Sequence, residues 1–190
     1  MTEKDVLRAE IRKKAAVLPP EYFTEYGQRI CENIFRSEYW RQAESVMAFF
    51  SMPGEPSLAP LYDRVFLEGK RLLFPRCREG GHMEARAVGS MNDLLPGRYH
   101  IPCPGEACPV CPPEEISLVL VPCLSCAPDG TRLGHGGGWY DRFLAHYRTA
   151  ASGGHILCLC PERLLSPSLP REAHDMMMPV IVTESRVIRV

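Results

Sequence analysis

The chain has 190 residues, of which 45% are hydrophobic and 24% charged, and this composition predicts one globular domain spanning residues 1–190. The formal net charge of −1 argues against nucleic-acid binding, because such surfaces need an excess of basic residues. No apolar run approaches the ~20 residues needed to cross a bilayer, and the polar start lacks a secretory apolar core. We therefore expect a cytoplasmic protein without membrane partners, whose nine cysteines are reduced.

Hydrophobic periodicity predicts alternating helices and short strands along the chain. Helices are predicted at 3–17, 20–37, 58–68 and 139–150, and strands at 45–50, 71–75, 83–88, 116–122, 155–159 and 180–182. The Pro-, Gly- and Cys-rich segment 96–113 is predicted to be loop. Helix 58–68 joins two strands as a βαβ unit, so we expect a mostly parallel sheet. The predicted fold class is α/β, a three-layer α/β/α sandwich with ligands at the carboxyl ends of its strands.

The most informative segment is Gly130–Arg142. Three loops are predicted to follow strands at their carboxyl ends: Ser51–Glu55, Cys123–Gly138 and the residues from Cys160 onward. The segment begins in the second of these loops. Five of its residues are glycines, which let backbone N–H groups approach an anion closely. A loop of this kind at a helix start is suited to phosphate, and Asp141 could hold a magnesium ion beside it. The alternative is a glycine-rich turn with no ligand.

Two cysteine pairs suggest a different site. Cys108-x-x-Cys111 and Cys123-x-x-Cys126 have the paired spacing of structural zinc ligands, and Cys103 adds a further thiol. The intervening 11 residues read mostly as a buried strand, which would hold the pairs about 35 Å apart unless a hairpin joins them. Cys158 and Cys160 are predicted to be core thiols. A non-enzymatic, zinc-stabilised binding module therefore stays open as an alternative function.

Several segments in a fixed order carry a resemblance to one family. Arg132–Asp141 is similar to the pattern R-L-G-x-G-x-G-Y-Y-D, and the further matches are Lys4-x-x-x-Arg8, Phe50-Ser51-Met52 with Glu55, Ile101–Glu106 and His174-Asp175. Through these residues the chain resembles the 5-formyltetrahydrofolate cyclo-ligase (methenyltetrahydrofolate synthetase) family. The resemblance implies a fold related to the ribose-phosphate isomerase and CoA-transferase superfamily. The chain departs from the pattern at Trp139, where relatives have tyrosine, and at His135, often Arg or Tyr.

The resemblance implies ATP- and Mg²⁺-dependent closure of 5-formyltetrahydrofolate to 5,10-methenyltetrahydrofolate, with release of ADP and phosphate. The formyl oxygen would attack the γ-phosphate of ATP, nitrogen N10 would attack the activated carbon, and phosphate would leave. The expected partner is this small-molecule substrate, with or without a polyglutamate tail, and we expect a monomer. A second alternative is an ATP-independent enzyme of the same broad fold, such as a sugar-phosphate isomerase or CoA transferase.

The resemblance also implies roles for individual residues. The expected ATP-binding residues are Lys4, Arg8, Arg132, Leu133, Gly134, His135, Gly136, Gly137, Gly138, Trp139 and Tyr140, with Arg132 and Tyr140 also catalytic. The expected substrate-binding residues are Phe50, Glu55, Tyr99, His135, Gly136, Gly137, Gly138 and Trp139. Asp141 and Asp175 are the expected Mg²⁺ ligands. From the residues alone, alternatives stay open: Lys4 and Arg8 would form a solvated basic helix face, and Asp141 would cap a helix. The remaining alternative is that Asp175, Glu55 and Tyr99 are surface loop side chains.

Overall fold

The computed structural model describes residues 2–52, 54–97, 100–150 and 153–190. Within these ranges the helices are α1 (Glu3–Ala16), α2 (Pro20–Arg36), α3 (Glu38–Gln42), α4 (Ala59–Leu67) and α5 (Trp139–Ala150). The strands are β1 (Ser45–Met47), β2 (Arg71–Cys77), β3 (Met83–Val88), β4 (Leu94–Pro96), β5 (Pro102–Pro104), β6 (Val110–Cys111), β7 (Leu118–Pro122), β8 (Ser125–Cys126), β9 (Arg132–Leu133), β10 (His155–Leu159), β11 (Val180–Val182) and β12 (Val187–Arg189). In the described part of the chain, no helix is long and apolar enough to span a membrane.

The main sheet has eight strands in the order β12-β11-β10-β7-β1-β2-β3-β6. The five central strands, from β11 to β2, pair in parallel, whereas β12, β3 and β6 pair antiparallel at the two edges. Two separate ribbons, β4–β5 and β8–β9, are antiparallel pairs. The mostly parallel sheet predicted from the sequence is confirmed.

Helices cover both faces of this sheet. Along β7, Leu118 and Leu120 pack in the core beneath α2, α3 and α4, while Val119 and Val121 pack in the core beneath α5. Because successive strand residues point to opposite faces, a strand buried on both faces is apolar throughout. The α/β/α layering predicted from the sequence follows from this burial.

Helix α1 lies outside these two cores. Thr2 caps it in a capping box with Asp5, and Ile11 packs with Leu133 and Leu164 in a third apolar cluster. Leu133 lies in β9, immediately before the loop Gly134–Gly138, which we call the glycine loop. This packing holds the first turns of α1 against the glycine loop.

The structure corrects several predicted boundaries. The predicted strand 45–50 pairs only over Ser45–Met47, because the chain then leaves the sheet toward the site. The segment 96–113, predicted to be loop, contains β5 and β6, so that prediction was wrong. Strand β12 and the short helix α3 were also missed. Each missed strand has two or three residues, too few for a recognisable pattern.

Candidate functional site

The strand order reverses between β1 and β7. Helix α4 connects β1 to β2 on one side, whereas α5 lies between β7 and β10 on the other. In open α/β sheets such a reversal opens a crevice at the carboxyl ends of the two strands, where ligands bind. The loop after β1 carries Glu55, and the segment after β7 carries the glycine loop. The fold therefore places both predicted binding segments at one crevice.

The glycine loop has a backbone that only glycine adopts easily. Gly136 and Gly138 have φ of +106° and +63°. A Cβ on Gly134 would lie 2.9 Å from an Arg132 guanidinium nitrogen, and one on Gly137 would lie 2.6 Å from Trp139 Cδ1. Gly136 and Gly137 are solvent-exposed. The loop thus presents bare backbone to a ligand.

Arg132 is buried beside this loop, with 6% of its side chain exposed. Its guanidinium donates to Asp141 Oδ2 at 2.8 Å and to the Pro122 carbonyl at 3.2 Å, while Nε has no partner among the described residues. Burial, the largest single influence, would lower the Arg132 pKa, but the charge and hydrogen bond of Asp141 outweigh it together with other nearby groups, and the pKa is raised. The charge of Asp141 therefore stabilises a buried cation.

The two expected metal ligands are brought into one region. Asp141 Oδ1 accepts a hydrogen bond from the Met176 N–H at 3.2 Å, and Met176 follows Asp175 in the chain. Asp175 Oδ2 accepts from Lys4 Nζ at 2.6 Å and from the Glu172 N–H at 2.7 Å. Burial would raise the Asp175 pKa, but these bonds lower it.

Glu172 was missed by the sequence analysis. Its carboxylate accepts from Lys4 Nζ at 2.8 Å, and its ligand atom lies within 4.8 Å of those of His174 and Asp175. No local motif marks it, because its role depends on contact with α1 from the opposite end of the chain.

Helix α1 brings both predicted N-terminal cations to the site. Arg8 Nε donates to the Gly134 carbonyl at 3.0 Å, and its NH1 donates to Asp5 at 2.7 Å. Lys4 is buried in its ion pairs, with 11% of the side chain exposed. Lys4, Arg8 and Arg132 with their acidic partners form what we call the cation side of the glycine loop.

The opposite side is built around Glu55, of which 4% of the side chain is exposed. Glu55 Oε2 accepts from the Met52 N–H at 2.8 Å, and Oε1 lies 3.0 Å from His135 Nε2. Phe50, partly buried, packs its ring 5.5 Å from that of Phe74. We call this region the Glu55 side. The structure shows that Glu55 is a buried group rather than a surface acid.

Tyr140 lies between these sides with its hydroxyl buried and, among the described residues, without a hydrogen-bond partner. Burial raises its pKa, and the charge of Glu55 raises it further. The phenol is therefore protonated at neutral pH and is a free donor. Its neighbour Trp139 packs against Arg142, whose guanidinium carbon lies 5.3 Å from the indole centroid. Tyr99, expected to contact the substrate, lies outside the described residues.

The remaining family match, Ile101–Glu106, has a structural role here. Glu106 pairs with Arg78 at 2.6 Å, Arg76 at 2.7 Å and Arg86 at 3.4 Å. The hydrogen bond from Arg78 is the main cause that lowers the Glu106 pKa to about 2. These contacts fasten β5 and the segment after it to β2 and β3.

The two cysteine pairs with zinc spacing are not assembled into one site. Cys108 Sγ lies 3.9 Å from the Asp93 carbonyl and Cys111 Sγ lies 3.8 Å from that of Pro112. The thiol close to Cys123 and Cys126 belongs instead to Cys158. Cys108, Cys111, Cys123, Cys126, Cys158 and Cys160 are free thiols.

Comparison with known proteins identifies the family. The family model described as the 5-formyltetrahydrofolate cyclo-ligase family matches residues 1–184. This chain belongs to that family. The 5-formyltetrahydrofolate cyclo-ligase of Escherichia coli K12 is 30% identical over 183 residues, covering 93% of this chain and 98% of its own. The probable 5-formyltetrahydrofolate cyclo-ligase of Schizosaccharomyces pombe is 27% identical over 199 residues, covering 98% of each.

Solved structures agree with the fold. The Aquifex aeolicus 5,10-methenyltetrahydrofolate synthetase superposes with a TM-score of 0.85 at 28% identity, covering 99% of this chain and 93% of its own. A Mycoplasma pneumoniae 5,10-methenyltetrahydrofolate synthetase, at 15% identity and a TM-score of 0.76, shares the fold. The resemblance, the α/β class and the assignment to an enzyme family are confirmed, and the non-enzymatic alternative was wrong.

Proposed function

We propose that this cyclo-ligase family member converts 5-formyltetrahydrofolate to 5,10-methenyltetrahydrofolate in a reaction that consumes Mg-ATP. Relatives that match nearly the whole chain are named 5-formyltetrahydrofolate cyclo-ligase and 5,10-methenyltetrahydrofolate synthetase. One observation in the structure carries the proposal. Consecutive residues of the glycine loop touch the two sides: the Gly134 carbonyl accepts from Arg8, and the His135 ring contacts Glu55. A phosphate bound on one side would therefore lie next to a pterin bound on the other.

The cation side fits the triphosphate of ATP. Gly136 and Gly137 are exposed and have no side chains to cover their backbone. Their N–H groups are therefore accessible to phosphate oxygens. Lys4 and Arg8 lie one helical turn apart on α1 and add positive charge. The phosphate oxygens of a bound nucleotide would take the place of some of the carboxylates that now face these cations.

Asp141 and Asp175 fit a magnesium ion that accompanies the nucleotide. Mg²⁺ prefers oxygen ligands and commonly takes one or two carboxylates beside phosphate oxygens and water. Both carboxylates now face cations of the protein, and carboxylate oxygens have further lone pairs to offer. The ion would neutralise part of the negative charge of the phosphates.

The Glu55 side fits the pterin. A buried carboxylate binds a ring edge with paired N–H donors well, and the amino-pyrimidine edge of the pterin is such an edge. Phe50 offers an apolar ring beside it. Because Glu55 faces no Lys or Arg among its hydrogen-bonding partners in the described residues, N–H donors from a ligand would stabilise it.

The proposed reaction needs positioning more than acid–base chemistry. The formyl oxygen forms a bond to the γ-phosphorus as ADP leaves with the electron pair of the broken P–O bond. Nitrogen N10 then attacks the formyl carbon and loses its proton to solvent, and phosphate leaves with the C–O electron pair. Arg132 and the loop N–H groups would stabilise charge on the transferred phosphoryl group. Protonated Tyr140 would serve as a hydrogen-bond donor.

The test is absorbance at the methenyl band after purified protein is mixed with 5-formyltetrahydrofolate. We expect the band to appear only when both ATP and Mg²⁺ are present, with ADP formed in proportion. No band from folded protein under these conditions would refute the proposal. A band that forms without nucleotide would favour the ATP-independent alternative.

A further inference from the structure

Four buried thiols lie at the carboxyl ends of β7 and β10, close to Arg132. Cys126 Sγ lies 3.1 Å from Cys158 Sγ and 3.5 Å from Cys123 Sγ, and these three sulfurs all lie within 4.8 Å of one another. Cys160, two residues after Cys158, packs in the same core. All four side chains are closed off from solvent. We call this group the thiol cluster.

The fold explains why these thiols meet. Cys123 follows β7 and Cys126 lies in β8, so a tight C-x-x-C turn presents both sulfurs together. Strand β10 lies beside β7 in the sheet, and Cys158 pairs in register with Val121 of β7. Cys158 and Cys160 are two residues apart and pack in the same core. The two pairs therefore reach the cluster from neighbouring strands.

We propose that the thiol cluster is a closed structural site for one zinc ion, ligated by Cys123, Cys126 and Cys158, with Cys160 as the fourth ligand. Each ligating sulfur gives its proton to solvent and the electron pair of the S–H bond to the metal. With Zn–S bonds of about 2.3 Å, two sulfurs on tetrahedral zinc lie about 3.8 Å apart, so the sulfurs of Cys123, Cys126 and Cys158 need to move only slightly. A C-x-x-C pair facing a second pair is a typical ligand pattern of such sites.

One polar group beside the cluster, the buried guanidinium of Arg132, suits anionic sulfur better than neutral thiols. Arg132 pairs in register with Cys126 across the β8–β9 ribbon. A zinc ion with four thiolates carries net negative charge, which a neighbouring cation stabilises.

A single disulfide explains the arrangement of the thiol cluster less well than a metal does. A disulfide between Cys126 and Cys158 would use two sulfurs and leave the contact between Cys123 and Cys126 unexplained. Zinc uses every member of the cluster. It would tie β8 to β10 and so fix the ribbon that carries Arg132 into the active-site crevice.

The experiment measures metal in the full-length protein, purified reduced and without chelators or a metal-affinity step. We expect about one zinc per chain by plasma mass spectrometry. Replacement of zinc by Co²⁺ should give sulfur-to-cobalt charge-transfer absorption together with the d–d bands of a tetrahedral thiolate site. Removal of zinc by a chelator should lower the melting temperature, and added zinc should restore it.

Variants assign the ligands. We expect Cys126→Ser and Cys158→Ser to lose the cobalt bands, while Cys31→Ser, a buried cysteine in the other core, keeps them. The proposal is overturned if wild-type protein holds no zinc and gives no cobalt bands, a result that does not depend on how the variants fold. It is also overturned if the bands survive both substitutions, or if thiol counting under denaturing conditions finds a Cys126–Cys158 disulfide in the native protein.

Discussion

The two sides of the glycine loop handle charge differently. On the cation side every cation faces an acid: Lys4 pairs with Asp175 and Glu172, Arg8 with Asp5, and Arg132 with Asp141. On the Glu55 side one carboxylate is buried, and its partners within the described residues are the Met52 N–H and the His135 ring. The Tyr140 hydroxyl, which has no hydrogen-bond partner in the described part of the chain, lies nearby.

This difference in charge predicts which ligands each side would select. The cation side is already neutralised, so a polyanion must bring its own cation or displace an acid, which favours a metal–nucleotide complex over a free anion. The Glu55 side has acceptor capacity that the protein leaves unused. A ligand that lacks N–H donors there would leave a buried carboxylate poorly satisfied, and such mismatches are strongly rejected.

The largest effect is expected from Asp141→Asn, which removes the charge facing buried Arg132. We expect kcat to fall by about 10²–10³-fold, because phosphoryl-transfer sites depend on preorganised charge. The free energy of unfolding should also fall, by about 3–5 kcal/mol, because Arg132 is left as an unpaired buried cation. Steady-state kinetics and urea denaturation measure the two effects.

The control for Asp141→Asn is Asp63→Asn, a change at an exposed carboxylate on α4. It should leave kcat and stability unchanged. Wild-type turnover by Asp141→Asn would remove Asp141 from the proposed metal site.

A smaller effect, confined to one substrate, is expected from Glu55→Gln. The substitution keeps the size of the side chain but removes the acceptor charge, so the KM for the folate should rise about 10- to 100-fold. The KM for ATP should stay unchanged, because Glu55 contacts none of the cation side. Glu10→Gln, on the exposed face of α1, serves as the control. An equal rise in both KM values would show that the two sides are not separate.

The architecture of the sheet was predictable because its signals are local. Five apolar strands, the βαβ crossover and the two helical faces follow from hydrophobic periodicity, and Gly130–Asp141 is contiguous in sequence. The edge strands β6 and β12 were not predictable, since two or three residues pair there only because a neighbouring strand is already in place.

The same reason limits prediction of the site. Glu172 and the thiols of Cys158 and Cys160 act through contacts made by segments far apart in the chain. The C-x-x-C spacing brings Cys123 and Cys126 together, but the thiol beside them belongs to Cys158 rather than to Cys108 or Cys111. Which cysteines meet is decided by sheet order, because β10 lies beside β7 and β6 lies at the far edge.

The backbone of the glycine loop is tested by Gly138→Ala. At φ of +63° an alanine costs about 1–2 kcal/mol, and its Cβ would lie 2.8 Å from an Arg142 guanidinium nitrogen. We expect the melting temperature to fall by about 2–6 °C and the KM for ATP to rise, with the KM for the folate less affected. Gly153→Ala is the control, since no atom of the described residues lies within 4 Å of its Cβ position. Equal stability of the two variants would contradict the proposed strain.

The smallest effect is expected from Lys4→Met. This substitution tests whether the ion pair of Lys4 neutralises the cation side. The Glu172 N–H and then the Lys4 ammonium lower the pKa of Asp175 below its ordinary 3.8, and Asp175 and Glu172 raise the pKa of Lys4 above its ordinary 10.5. Asp175 therefore stabilises the fold above pH 3.8, and this contribution is lost as the pH falls through its lowered folded-state pKa. Lys4 contributes below pH 10.5, and its contribution is lost as the pH rises through its raised pKa.

Wild type should therefore exceed Lys4→Met by about 1 kcal/mol in the free energy of unfolding, constant between about pH 5 and 9 and shrinking toward acid. Urea denaturation across this range measures the difference. Lys13→Met, an exposed change on the same helix, should show no such loss toward acid. A Lys4→Met difference that persists below the folded-state pKa of Asp175 would mean that Lys4 acts through packing, and the cation side would then not be held neutral by this pair.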